Sequence, residues 1–336
     1  MNTITGEKPA FPAGTASTST IAALPVALFG SVMGLTGLAL AWRSAHAHFS
    51  VPSWIGAGLG WMAIFAFVAV TAGYACKVLT AGTAVRDEFN HPIAGNMFGT
   101  PLISILLLPL LLADLSLPLA RAFWAAGAIG MSVFAWFIVS RWMRGAQQPV
   151  HATPAWIVPV VGMLDVPLAL PALQWPRLHG VAMFGLAIGL FFALPLMTLI
   201  LSRLMFQEPM PESLRPSLMI MLAPFAVGFS AYASTTGHVD DFATALYMLM
   251  LFMLAVLLGR LRNLPACSTF KVSWWAVSFP LSASATAAIR YASHSPNRYT
   301  DGIAIAVLVI ATVVIAGLLI RTLWGIARGE LRAVMT

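Results

Sequence analysis

Ile303-Ala304-Ile305-Ala306-Val307-Leu308-Val309-Ile310-Ala311-Thr312-Val313-Val314-Ile315-Ala316-Gly317-Leu318-Leu319-Ile320 is the stretch that decides the fold. It passes from end to end without a charged side chain. Wound as an α-helix it rises about 27 Å, close to the hydrocarbon thickness of a bilayer. A membrane strand would be half as long and would alternate polar with apolar residues. This run does not alternate, so it reads as a transmembrane helix. Such a helix bonds its own backbone groups internally, because lipid offers them no partner.

The rest of the chain is written the same way. Its 336 residues are 60% hydrophobic and only 9% charged, against about 25% charged in soluble domains, and the mean hydropathy is +0.88. Apolar segments at 21–42, 53–77, 98–113, 119–142, 154–173, 179–203, 217–235, 240–262, 270–290 and 302–325 predict an all-α integral membrane protein of ten transmembrane helices. Short connections join them in consecutive pairs as five helical hairpins. Residues 1–20, rich in Ser, Thr, Pro and Ala, read as a disordered tail, 21–325 as one membrane domain and 326–336 as a second short tail.

Charge placement orients these spans. With the N-terminus in the cytoplasm, 13 of the 18 Lys and Arg residues fall on the cytoplasmic side and 5 (Arg43, Arg121, Arg177, Arg290, Arg298) on the other. The positive-inside rule then places both termini in the cytoplasm of a cell inner or plasma membrane. The net charge of +7 forms no basic stripe, so nucleic acid is not an expected partner. Cys76 and Cys267 make no disulfide framework or metal spacing. No phosphate-binding loop, nucleophile–base pair or cofactor motif is present, so neither an enzyme nor a cofactor is expected.

The prolines follow an alternation. Pro25 lies in the first segment, Pro101 and Pro109 in the third, Pro159 and Pro167 in the fifth, Pro224 in the seventh and Pro280 in the ninth. Among the even segments only the sixth has one, Pro195. Proline removes a helical hydrogen bond and bends the helix, and in a membrane the freed carbonyls need other partners or a cavity. Five bent helices and five straighter ones predict an inner ring lining a path and an outer ring facing lipid.

Single residues refine that picture. Gly30, Gly34 and Gly37 share one face of the first helix, which either packs a neighbour closely or leaves room for a solute. Phe279 stands beside Pro280 in a run of small side chains to Ala288, so it is either a plug or an ordinary packed ring. Asp165 is a rare intramembrane acid, hence a coupling or pairing group. If Pro167 and Pro171 end the fifth helix early, it is instead a charge at the outer mouth. Arg290 closes the ninth segment, where it either attracts anions or is an ordinary rim charge. Arg86, Asp87, Glu88 and His91 form a charged loop, read as an ion-pair network fixing the second and third spans.

Four segments carry a resemblance: Phe29-Gly30-Ser31-Val32-Met33-Gly34-Leu35, Val85-Arg86-Asp87-Glu88 with His91-Pro92, Leu222-Ala223-Pro224 with Ser230-Ala231-Tyr232, and Trp275-Ala276-Val277-Ser278-Phe279-Pro280-Leu281. In this order, within a ten-span plan, they resemble the TehA/SLAC1 family of tellurite-resistance proteins, slow anion channels and malate transporters. The resemblance implies five hairpins in quasi-fivefold arrangement around a central anion pore, assembled as a homotrimer. It implies a pore gate at Phe279 and a pore wall at Gly30. The kinks at Pro25, Pro101, Pro109, Pro159, Pro224 and Pro280 would shape the inner ring. The expected partners are small anions and the lipid bilayer. A proton-coupled C4-dicarboxylate carrier and a tellurite-linked efflux protein remain as alternatives. With no ring of Lys or Arg, the pore would bind anions weakly and release them quickly, as conduction requires.

Overall fold

The computed structural model describes residues 21–145, 147–261 and 270–328. The tail predicted at 1–20, most of the tail at 326–336, and Cys267 lie outside them. Among the described residues there is helix and no strand.

The odd-numbered segments change helix type along their length. A 3-10 turn, Val26–Leu28, runs into α1 (Phe29–Phe49), followed by α2 (Ser53–Thr80) and the short α3 (Gly82–Asn90). A second 3-10 stretch, Ala94–Phe98, leads into α4 (Gly99–Leu107) and α5 (Pro109–Leu112), and α6 (Leu117–Arg144) follows. The fifth segment is 3-10 over Pro154–Ile157, Gly162–Asp165 and Pro167–Ala169, with only α7 (Val158–Val161) between, and α8 (His179–Phe206) follows. An 11-residue 3-10 stretch, Glu212–Leu222, precedes α9 (Ala223–Thr236) and α10 (Asp241–Leu261). Val272–Val277 is again 3-10 and enters α11 (Ser278–His294), before α12 (Arg298–Ala327).

The prolines sit at these changes of winding. Pro101, Pro159, Pro224 and Pro280 all fall in the first turn of the α-helix that follows a 3-10 stretch. An N–H there has no helical acceptor, so proline costs little. Pro25 immediately precedes the first 3-10 turn, and Pro109 opens α5 after the break at Leu108. Pro195 lies inside α8 without ending it. The bends predicted as kinks in continuous helices are therefore mostly junctions between two windings.

Burial separates the two classes. In the most apolar window of the first segment 72% of residues are buried, against 17% in α2. The third and seventh segments give 67% and 83%, while α6, α8, α10 and α12 give 33–39%. Backbone carbonyls of the buried class also accept hydrogen bonds from side chains. The Trp124 indole N–H donates to Val166 O at 2.9 Å, and Arg121 donates to Leu173 O at 3.1 Å. Thr100 Oγ1 donates to Val26 O at 3.2 Å, and Ser278 Oγ donates to Gly30 O at 3.1 Å.

Among the described residues, eight helices are long and apolar enough to cross a membrane. The predicted fifth span is a shorter apolar stretch, Pro154–Ala169, and the ninth, Val272–His294, is richer in Ser, Thr and Ala. Three cations predicted as the last residues of spans stand inside helices that run on past them: Lys77 in α2, Arg203 in α8 and Arg290 in α11. Lys77 is 3% exposed and is held by a carboxylate 2.7 Å away, Glu88 of α3, which lets α2 run past it to Thr80. At the head of α10, Asp240 Oδ1 accepts from the Ala243 N–H at 3.0 Å. The Tyr232 hydroxyl donates to the same carboxyl and holds it below the usual carboxylate range.

The glycine face of α1 packs closely on α11. A Cβ at Gly34 would overlap Ser278 Cβ and Oγ, and one at Gly37 would stand 3.0 Å from Ser282 Cβ. Gly34→Ala is expected to cost about 1–3 kcal/mol through overpacking, read as a lower midpoint of thermal unfolding in detergent. Gly30→Ala meets only ordinary contact, 3.5 Å from Trp275 O, and should leave that midpoint in place.

Candidate functional site: two chambers divided by Phe279

Among the described residues, two neighbouring cavities share part of their lining. The first, about 270 Å³, extends from His91, Leu214 and Ser273 at the N-terminal ends of the odd segments to Phe279 and Pro280. The second, about 400 Å³, runs from Phe279 and Gly37 toward Arg43 and Arg290. Only Phe279 and Val227 line both. Phe279 is 7% exposed, and its ring would stand 3.5 Å from a Cβ on Gly37. Phe279 and Val227 of α9 thus stand where the two linings meet.

Every odd segment contributes to both cavities. Among the described residues lining them, none comes from α2, α6, α8, α10 or α12. The junctions between 3-10 and α winding supply much of the first chamber, through Gly30, Thr100, Val158, Ala223 and Pro280. Of the predicted prolines, Pro280 lines this chamber. Pro159 and Pro224 are buried and Pro101 half-buried beside the lining residues Val158, Ala223 and Thr100, while Pro109 is buried beside Leu110 of the second chamber and Pro25 is half-buried two residues before Ala27. They shape the wall more than they face it.

The chambers differ in charge. Among the described residues, the first holds two titratable side chains, His91 and Asp165, and no Lys or Arg. The second holds Arg43 and Arg290. Arg43 is offset by Asp114, 2.8 Å away on an exposed surface. Arg290 Nη1 donates to Ser234 Oγ at 2.8 Å and Ser230 O at 3.1 Å. That anchors the guanidinium against α9, in the wall of the chamber.

Asp165 is not a mouth charge. The fifth segment does turn after Leu170, yet Asp165 is 2% exposed and lines the first chamber. It stands before the break, with the Trp124–Val166 bond pinning the next residue inside. Val227 carried no signal in the sequence, being one apolar residue among many. Of the charged loop predicted to fix the second and third spans, Glu88 is ion-paired, and its partner lies in α2 outside the loop. Glu88 pairs with Lys77 at 2.7 Å and accepts from the Val26 N–H at 2.7 Å and the Tyr74 hydroxyl at 3.1 Å. It fastens the start of the first segment to α2. Among the described residues no group of three His, Cys, Asp or Glu side chains could hold a metal ion.

A family model described as voltage-dependent anion channel, SLAC1, matches residues 23–323. The chain belongs to the SLAC1 family. It is 28% identical to the S-type anion channel SLAH3 of Arabidopsis thaliana over 89% of this chain and 48% of that one. It is 24% identical to the guard cell S-type anion channel SLAC1 of the same plant, over 89% and 55%. It is 26% identical to the tellurite resistance protein TehA homolog of Haemophilus influenzae, over 91% and 92%. The chain thus spans about half the length of these two plant relatives and nearly all of the bacterial one. The SLAC1 assignment agrees with a multi-pass helical membrane protein.

Proposed function

We propose that this chain is an anion channel whose path runs through the two chambers and is gated by Phe279. One observation carries the reading: among the described residues all five proline-marked segments line both chambers, and Phe279 is shared by the two linings. The same observation supports ten spans arranged as five hairpins in quasi-fivefold order, with α2, α6, α8, α10 and α12 outside. The SLAC1 relatives support small anions as the permeant species. Homotrimeric assembly and an inner-membrane location with both termini cytoplasmic belong to the same reading, and native mass spectrometry and protease accessibility test them.

Conduction follows from weak binding. The first chamber lacks a cation that would trap an anion, and the second presents Arg290 at the wall. An anion is drawn in by that charge and held loosely beyond it. Reversal potentials across bilayers holding the purified chain, under gradients of chloride, nitrate and malate, test the reading. Potentials that track the anion gradient support a channel, whereas potentials that track the proton gradient select the coupled carrier. Arg290→Gln is expected to reduce anion flux by about 2- to 10-fold at low ionic strength and less at high salt, because the attraction it supplies is screened. Equal loss at both salt concentrations would remove the electrostatic role.

A further inference from the structure

Asp165 is the one acid among the described residues lining either chamber, and its surroundings decide its state. Oδ1 is buried and has no hydrogen-bond partner. The elements packed on Gly162–Asp165 bring no counter-charge to it. α4, α7 and the Pro167–Ala169 turn contain no ionisable side chain. In α6, Arg121 is engaged with Leu173 O and Arg141 with Phe89 O, and Arg144 is exposed in the last turn. In α9, Tyr232 is engaged with Asp240. In α8, Gly189 abuts Leu164, and Arg203 is 14 residues further on, about 21 Å along the axis. His179, toward the opposite end of α8, faces a separate surface pocket beside Trp175. The remaining titratable group of the chamber is His91, at its exposed end. An ionised carboxylate in such a place is strongly disfavoured. A protonated one is a hydrogen-bond donor.

We propose that Asp165 serves as a neutral carboxylic acid that donates its O–H to an anion resting in the first chamber, and that loss of this proton to chamber water closes the chamber to anions. The inference rests on the reading of the chambers as an anion path. It assigns a pH-sensitive anion site to a chamber that otherwise has no cationic side chain. Its sign is opposite to that of a fixed charge: the residue assists anions only while it is uncharged.

The experiment uses the full chain in liposomes, with chloride and nitrate as probes. Wild-type flux should fall about tenfold or more from mildly acidic to alkaline buffer, since one fixed negative charge opposes each anion at close range. Asp165→Asn keeps a donor but cannot ionise, so its flux, whatever its absolute level, should not change with pH. His91→Gln should retain the wild-type pH dependence. Infrared difference spectra between wild type and Asp165→Asn should show a protonated carboxyl band at neutral pH that shifts when chloride or nitrate is added. An ionised carboxylate signal, a band indifferent to anions, or equal pH dependence in wild type and Asp165→Asn would overturn the inference. A band that shifts with anions in a protein that carries no anion flux would instead overturn the conduction reading and leave Asp165 as a donor to a bound anion.

Discussion

Phe279→Ala should raise anion flux through reconstituted protein by about tenfold or more, the rate equivalent of lowering a barrier by about 1.4 kcal/mol. The ring lies where chambers of about 270 and 400 Å³ meet. Truncation to a methyl group joins them, and it removes an apolar constriction that excludes water as well as ions. The neighbours cannot collapse easily into the gap. Ser278 Oγ donates to Gly30 O and so ties α11 to α1 beside the ring, while Ser282 and Ser284 bond back to the carbonyls of Phe279 and Pro280 in their own helix. Val227→Ala, at the facing wall, should act in the same direction by a smaller factor. Unchanged flux in Phe279→Ala, with normal membrane insertion, would remove Phe279 from the gate.

Glu88→Ala should destabilise the protein by about 3–5 kcal/mol, the usual cost of leaving one partner of a buried ion pair alone. Lys77 is buried and has Glu88 as its charged partner. Its ammonium also donates to Leu24 O at 2.7 Å, so the pair fixes the entry to the first segment. Without the carboxylate, the Val26 N–H loses its acceptor as well. The effect should appear as a lower thermal midpoint in detergent. Lys77→Met/Glu88→Leu, which removes both charges and keeps apolar bulk, should recover much of the loss. No recovery in the double variant would mean that the backbone bonds at Val26 and Leu24 matter more than the charges.

The membrane class and the long apolar helices were legible because bilayer burial writes them directly into hydropathy. The position of Phe279 was legible because a large ring among small neighbours stands out in α11. Other features were not. Hydrophobic periodicity does not separate 3-10 from α winding, so the junctions at Gly99, Val158, Ala223 and Ser278 looked like kinks. Asp165 was drawn toward the outer mouth by the prolines that follow it, whereas the chain turns only after Leu170. Lys77 marked the end of a span on charge alone, since its partner Glu88 lies 11 residues away across a turn. Gly30 and Gly34 could not be told apart in sequence, although Gly30 lines a chamber and Gly34 receives Ser278.

The winding of the fifth segment has a consequence for reach. Pro154–Ala169 has 16 residues, which as a plain α-helix would extend about 24 Å and fall short of the hydrocarbon layer. Four of them, Val158–Val161, are α-helical. If the other 12 advance at the 3-10 rise of about 2.0 Å, the segment extends about 30 Å, the thickness of that layer. The tighter coil is thus a way to cross the same distance with fewer residues and a slimmer rod. A slimmer rod takes less space around a central axis, which leaves more of the cross-section to whatever passes along it.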